Sequence, residues 1–187
     1  YINMRSKIPI TLTYFRILII PFFIFVFFLP GDVGRWSSCW LFVLAGFTDY
    51  LDGKLARSLN EESKLGALLD PIADKIIVSV ALLLLVHDKT INDLSLYASI
   101  IIISREILVS GLREFLAKLQ VSLPVSSLSK AKTFIQMFAI SVLLSGDPGN
   151  QLLLGYGRDL GIISLWISAI ITVYTGYRYL VKGLKHT

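Results

Sequence analysis

The chain has 187 residues, of which 55% are hydrophobic and only 17% charged, and its mean hydropathy is +0.70. It is too apolar for an ordinary soluble domain and has room for about six membrane spans, so a polytopic membrane protein is the leading class. The net charge of +5 comes with no nucleic-acid motif and is read as a topology signal, while the single cysteine, Cys39, excludes an internal disulfide and has no Cys or nearby His to share a metal.

In chain order, Met4 reads as the native start and Tyr1 to Asn3 as a non-native remnant. Arg5, Lys7 and Pro9 precede a first apolar segment of about Thr11 to Leu29. A charged start and an apolar run also describe a signal peptide, but no small-residue cleavage site follows and further spans do. The second segment begins near Trp36, after Pro30 and Gly31, and runs into an acidic stretch. Ser58 to Lys64 is expected to turn, and the third segment covers Leu65 to Val86, with Pro71 expected to bend or loosen it. A polar connection, His87 to Asp93, leads to a fourth segment from Leu94 to Leu119. Gln120 to Ser129 connects to a fifth span that Lys130 and Lys132 open and that ends near Ser145. Gly146 to Gly149 is expected to be a turn, and the last span lies between Leu160 and Leu180.

The expected fold is therefore all-α, a single domain over residues 1–187 with six transmembrane helices and both termini on one side. Of the eighteen Lys and Arg residues, all but Arg35, Lys89 and Arg158 fall at the end that holds the termini. By the charge rule that end is cytoplasmic, and the acidic stretch lies there too.

Four carboxylates interrupt this apolar sequence. Asp49 and Asp52 are spaced i, i+3 and Asp70 and Asp74 i, i+4, so each pair shares a helix face. Each charge at a span centre costs about 2.5–3.5 kcal/mol to insert, so four uncompensated acids would cost roughly 10 kcal/mol or more. Interfacial water, basic partners or divalent cations can offset that cost, and cations also explain the clustering. The alternative is an interfacial loop in which one pair ends a helix and the other caps the next. Gly53, Ala56 and Gly66 remove bulk near the acids, which suits close approach of a ligand or of a packing helix. An all-oxygen ligand set selects a hard ion such as Mg2+, Mn2+ or Ca2+, and four carboxylates can hold two ions about 3.5–4 Å apart.

Asp49, Asp52, Gly53, Ala56, Arg57, Gly66, Asp70 and Asp74 occupy all eight positions, with the required gaps, of a pattern that resembles the signature of the CDP-alcohol phosphotransferase family. The resemblance implies that Asp49 and Asp70 bridge two divalent ions, Mg2+ or Mn2+, that Asp52 completes the first site, and that Asp74 contacts the second ion and acts as general base. It also implies that Gly53, Ala56, Arg57, Ser63 and Gly66 contact CDP-diacylglycerol, and that the protein is a homodimer in the bacterial inner membrane with its site facing the cytoplasm.

On the fourth segment, Arg105 and Arg113 lie two turns apart on nearly one face, and Lys130 and Lys132 sit near the same end. Together they suit a free phosphate; the competing reading pairs them with Glu106 and Glu114 or with anionic lipid headgroups. Ser104 to Glu106, Leu112 to Glu114 and the first-span residues Ile8, Pro9 and Leu12 to Arg16 resemble the family's glycerol-3-phosphate-using members, although Ile10 stands where many have Asn. The implied reaction transfers a phosphatidyl group from CDP-diacylglycerol to sn-glycerol 3-phosphate with release of CMP. Transfer to inositol phosphate or phosphatidylglycerol, or a non-enzymatic cation path, are the alternatives.

Overall fold

The computed structural model describes residues 8–59, 64–118 and 127–184, with side chains described over 18–48, 72–117 and 127–181. Among the described residues there are seven helices and no strand: α1 Ile8–Phe27, α2 Gly31–Leu59, α3 Lys64–His87, α4 Asp93–Lys118, α5 Ser127–Leu144, α6 Gly146–Leu152 and α7 Gly157–Leu184. The all-α expectation holds. The long helices coincide with the apolar segments read from the sequence. The one element not anticipated is α6, which replaces the turn expected at Gly146 to Gly149. Pro148 lies in its first turn, where a missing N–H costs nothing, and Asp147 there complements the helix dipole. Helix α3 is continuous through Pro71, so the loosening expected there does not interrupt it.

The chain divides into two compact units, residues 1–84 and 85–187. In the first, α1 packs on α2. Phe23 and Phe42 are fully buried with ring centroids 6.3 Å apart, and Arg35 lies over the Phe27 ring at 5.0 Å. The acidic stretch falls at the C-terminal end of α2 and the N-terminal half of α3.

In the second unit α7 packs against both α4 and α5. Arg158 bonds to Asn92, Arg105 to Thr175 and Arg113 to Tyr179, an order that ascends both helices, so α4 and α7 run parallel. Helix α5 runs the other way: Gly161, early in α7, meets Leu143 near the end of α5, whereas Lys132 near its start reaches Glu106. At the start of α4 the Ser95 hydroxyl accepts from the Asn92 N–H and donates to the Asn92 carbonyl, tying down the first turn.

The two faces of α7 explain its environment. Its buried face carries Ser164, Ser168, Thr172 and Thr175, small polar residues that let helices approach and bond across an apolar medium. Its outward face carries Ile163, Ile167, Ile170, Val173, Tyr174 and Tyr177, all exposed. Leu165 and Ala169 are buried with the Ser and Thr residues, so small and polar residues share the inside while the outside is apolar, unlike the polar outer face of a water-soluble helix. Among the described residues two helices, Asp93–Ala117 and Gly157–Val181, are long and apolar enough to cross a membrane.

A Cβ built on Gly161 would lie 2.7 Å from the Leu143 side chain. Gly161→Leu is therefore expected to force α5 away from α7 and to destabilise the protein by about 1–3 kcal/mol, seen as a lowered unfolding temperature in detergent. Unchanged stability would show that this close approach is not required.

Candidate active site

The predicted cations of the second unit are brought together by α4 and α5, each packed on α7. Arg105 and Glu106 lie mid-helix on α4, Lys132 lies in the second turn of α5, and Thr175, Gly176 and Tyr179 line the facing side of α7. Lys132 is almost wholly enclosed, its side chain 4% exposed, and it donates to Glu106 Oε1. Arg105, 13% exposed, reaches the same oxygen through Nη1 at 3.4 Å. Its other terminal nitrogen, Nη2, donates to Thr175 Oγ1 at 2.9 Å, and that hydroxyl donates in turn to Ile171 O at 2.8 Å. Glu106 thus gathers one cation from its own helix and another from α5.

A glycine gives Arg105 its place. A Cβ on Gly176 would stand 3.1 Å from Arg105 Cγ and 3.4 Å from Nε, so the bare position 176 lets the arginine stem approach α7 closely. Arg105 Nε is buried without a hydrogen-bond partner, as are polar atoms of Gln136, Thr172, Ser168 and Ser99 on the same three helices. Buried polar atoms are normally satisfied, so these are positions that suit water or a polar ligand.

Arg113, two turns further along α4, is held differently. Its Nη2 donates to the Tyr179 hydroxyl at 2.7 Å while the guanidinium lies 4.7 Å from that ring's centroid. Lys130 is exposed. Of the four predicted cations, Arg105 and Lys132 are thus brought onto one carboxylate, Arg113 is fixed nearby on α4 by Tyr179, and Lys130 stays at the surface. The sequence reading set Glu106 against these cations as a competitor, and Lys132 does pair with it. Thr175, Gly176 and Tyr179 were missed as members of the cluster; the available signal was small and polar residues recurring at helical spacing through Thr172, Thr175 and Tyr179 in an otherwise apolar span. Tyr179→Phe keeps the ring and removes the hydroxyl. It is expected to weaken acceptor binding by about threefold to tenfold, the worth of one hydrogen bond, whereas Tyr179→Leu should cost more because the ring contact goes too. Acceptor saturation curves for both variants check this.

In the first unit, Asp49, Asp52, Gly53, Ala56 and Arg57 fall within α2, and Gly66, Asp70 and Asp74 within α3. Both helices are unbroken across these positions, so the one-turn spacing within each carboxylate pair is realised in the backbone. The side chains of Asp49, Asp52, Ala56, Arg57 and Asp70 lie outside the described residues, as does Ser63 altogether. Asp74 is half-buried.

The sequence matches the CDP-alcohol phosphatidyltransferase profile over residues 6–174. The chain belongs to this family. Curated relatives of matching length agree. A protein of Rickettsia bellii is 44% identical over 98% of this chain and 99% of its own length. One of Haemophilus influenzae is 41% identical over 95% of this chain and 93% of its own. One of Shigella flexneri is 37% identical over 95% and 94%. All three are named CDP-diacylglycerol--glycerol-3-phosphate 3-phosphatidyltransferase. Against the CDP-alcohol phosphatidyltransferase profile, the match runs through the acidic stretch, α4, α5 and most of α7.

Proposed function

We propose that the chain transfers the phosphatidyl group of CDP-diacylglycerol to sn-glycerol 3-phosphate, giving phosphatidylglycerophosphate and CMP. The observation that carries this reading is the convergence of Arg105 and the buried Lys132 on Glu106, in a chain that also bears the complete carboxylate signature and whose near-full-length relatives carry this enzyme's name. Two largely enclosed cations on helices that both pack against α7 suit a phosphate that is not itself transferred.

In this assignment the acceptor phosphate is bound by Arg105, Arg113 and Lys132, with Lys130 at the surface as an entry charge. Gly53, Ala56, Arg57, Ser63 and Gly66 contact the nucleotide lipid. The donor set Asp49, Asp52, Asp70 and Asp74 is all carboxylate, with neither His nor Cys, and fits two Mg2+ or Mn2+ ions. Bound there, such ions neutralise the pyrophosphate and the departing CMP. Asp74 accepts the proton of the acceptor's 1-hydroxyl as that oxygen forms its bond to the β-phosphorus. The bond from the β-phosphorus to the bridging oxygen breaks, and CMP leaves with the electron pair.

The family match continues across the boundary between the two compact units, which supports one functional domain. The apolar outward face of α7 and the placement of Lys and Arg support six spans in a bacterial inner membrane, with the termini and the acids facing the cytoplasm. The protein is assigned as a homodimer on family resemblance. An acceptor panel tests the reaction: purified protein with CDP-diacylglycerol should release CMP with glycerol 3-phosphate and far less with inositol phosphate, phosphatidylglycerol or no acceptor. Equal release with any of the others would reassign the acceptor, and none with any would remove the transferase reading.

A further inference from the structure

We infer that Glu106 is a positioning residue for the acceptor phosphate: its carboxylate holds Lys132 of α5 and Arg105 of α4 in one binding geometry, bridging two helices that each pack on α7. The inference rests on the assignment of those two cations to the acceptor. Lys132 Nζ and Arg105 Nη1 converge on the same atom, Glu106 Oε1. Lys132 is the more enclosed of the two, and its long unbranched stem has no planar fork to fix its direction. An enclosed ammonium without a counter-charge relaxes toward water or loses its proton, and either outcome withdraws it from a ligand. Arg105 has a second anchor in Thr175 and a bare glycine behind it, so it depends on Glu106 less.

Charge arithmetic separates this role from simple neutralisation. Four cations, Arg105, Arg113, Lys130 and Lys132, against two carboxylates, Glu106 and Glu114, leave two net positive charges. A phosphate dianion therefore meets a matched site with Glu106 present. If the carboxylate were instead a competitor for the cations, its removal would tighten acceptor binding. The two roles predict opposite signs.

The test uses full-length protein in detergent and the kinetics of CMP release. Glu106→Gln is expected to raise the KM for glycerol 3-phosphate by about tenfold, the scale of one charge-assisted hydrogen bond, with a smaller change in kcat and an unchanged KM for CDP-diacylglycerol. Glu106→Asp, which keeps the charge one methylene back, should recover part of the loss. The cycle with Lys132→Met decides the route: if Glu106 acts mainly through Lys132, then Glu106→Gln made in the Lys132→Met background should add less than about threefold. Independent, multiplicative losses would overturn the coupling, and an unchanged or lowered acceptor KM in Glu106→Gln would overturn the positioning role. If Lys132→Met and Arg105→Ala themselves leave the acceptor KM unchanged, the acceptor assignment fails instead. Thermal unfolding of each variant separates these results from loss of fold.

Discussion

Asp49→Asn and Asp70→Asn are each expected to reduce turnover by about a thousandfold or more while leaving the protein inserted and folded. Each amide keeps the size of the acid but removes a charge from a site assigned to two divalent ions, and both positions are the proposed bridging ligands. Losing a bridge disturbs both ions at once, and ion-borne stabilisation of a phosphoryl transition state is worth several kcal/mol. Removing an uncompensated carboxylate from a membrane segment should, if anything, ease insertion. The check is CMP release by purified variants across a Mg2+ and Mn2+ titration, with oligomeric state and unfolding temperature measured alongside. Near-normal turnover in either variant would break the two-ion assignment. Loss of activity that excess cation restores would mean weakened affinity and not a lost bridge.

The second large effect belongs to the cations. Arg105→Ala removes one member of the pair on Glu106 and leaves Thr175 Oγ1 without its donor. It is expected to raise the KM for glycerol 3-phosphate by roughly tenfold to a hundredfold, corresponding to about 1.5–3 kcal/mol for a charge-assisted contact, with little change in the KM for CDP-diacylglycerol. Arg113→Ala should act in the same direction. Arg105→Lys is informative because it keeps the charge: a lysine cannot serve Thr175 and Glu106 together as the planar guanidinium does, so it should recover only part of the loss. Equal weakening of both substrates would place these arginines on the nucleotide lipid. No change in either would return them to the competing role of pairing and headgroup contact.

The long helices were legible because their apolar runs are long and are punctuated by charged or Gly/Pro connections. The acidic stretch was legible because a carboxylate is conspicuous where insertion is costly, and because eight positions with fixed gaps leave little room for coincidence. Helix α6 was hidden by its own composition: glycine and proline at 146, 148 and 149 read as turn formers, yet proline in a first helical turn is compatible with the helix. The α7 side of the cation cluster was hidden for another reason. The polar spacing through Thr172, Thr175 and Tyr179 marks a face of α7 but not its partner; Thr175 and Gly176 matter because α7 runs parallel to α4 and brings them to Arg105, a register that helical period within one segment does not contain. Glu106 was visible as a partner of the cations, but a pairing seen in sequence has no sign. Only the shared oxygen shows that it joins two helices.

Product identity distinguishes phosphatidyl transfer to glycerol 3-phosphate from every other reading of the chain. Purified protein supplied with CDP-diacylglycerol, glycerol 3-phosphate and Mg2+ should form phosphatidylglycerophosphate and CMP in equal amounts, both read from one reaction by mass spectrometry, with neither formed when glycerol 3-phosphate is omitted. CMP without the phosphorylated lipid product, or a phosphatidyl product carrying a different alcohol, would contradict it.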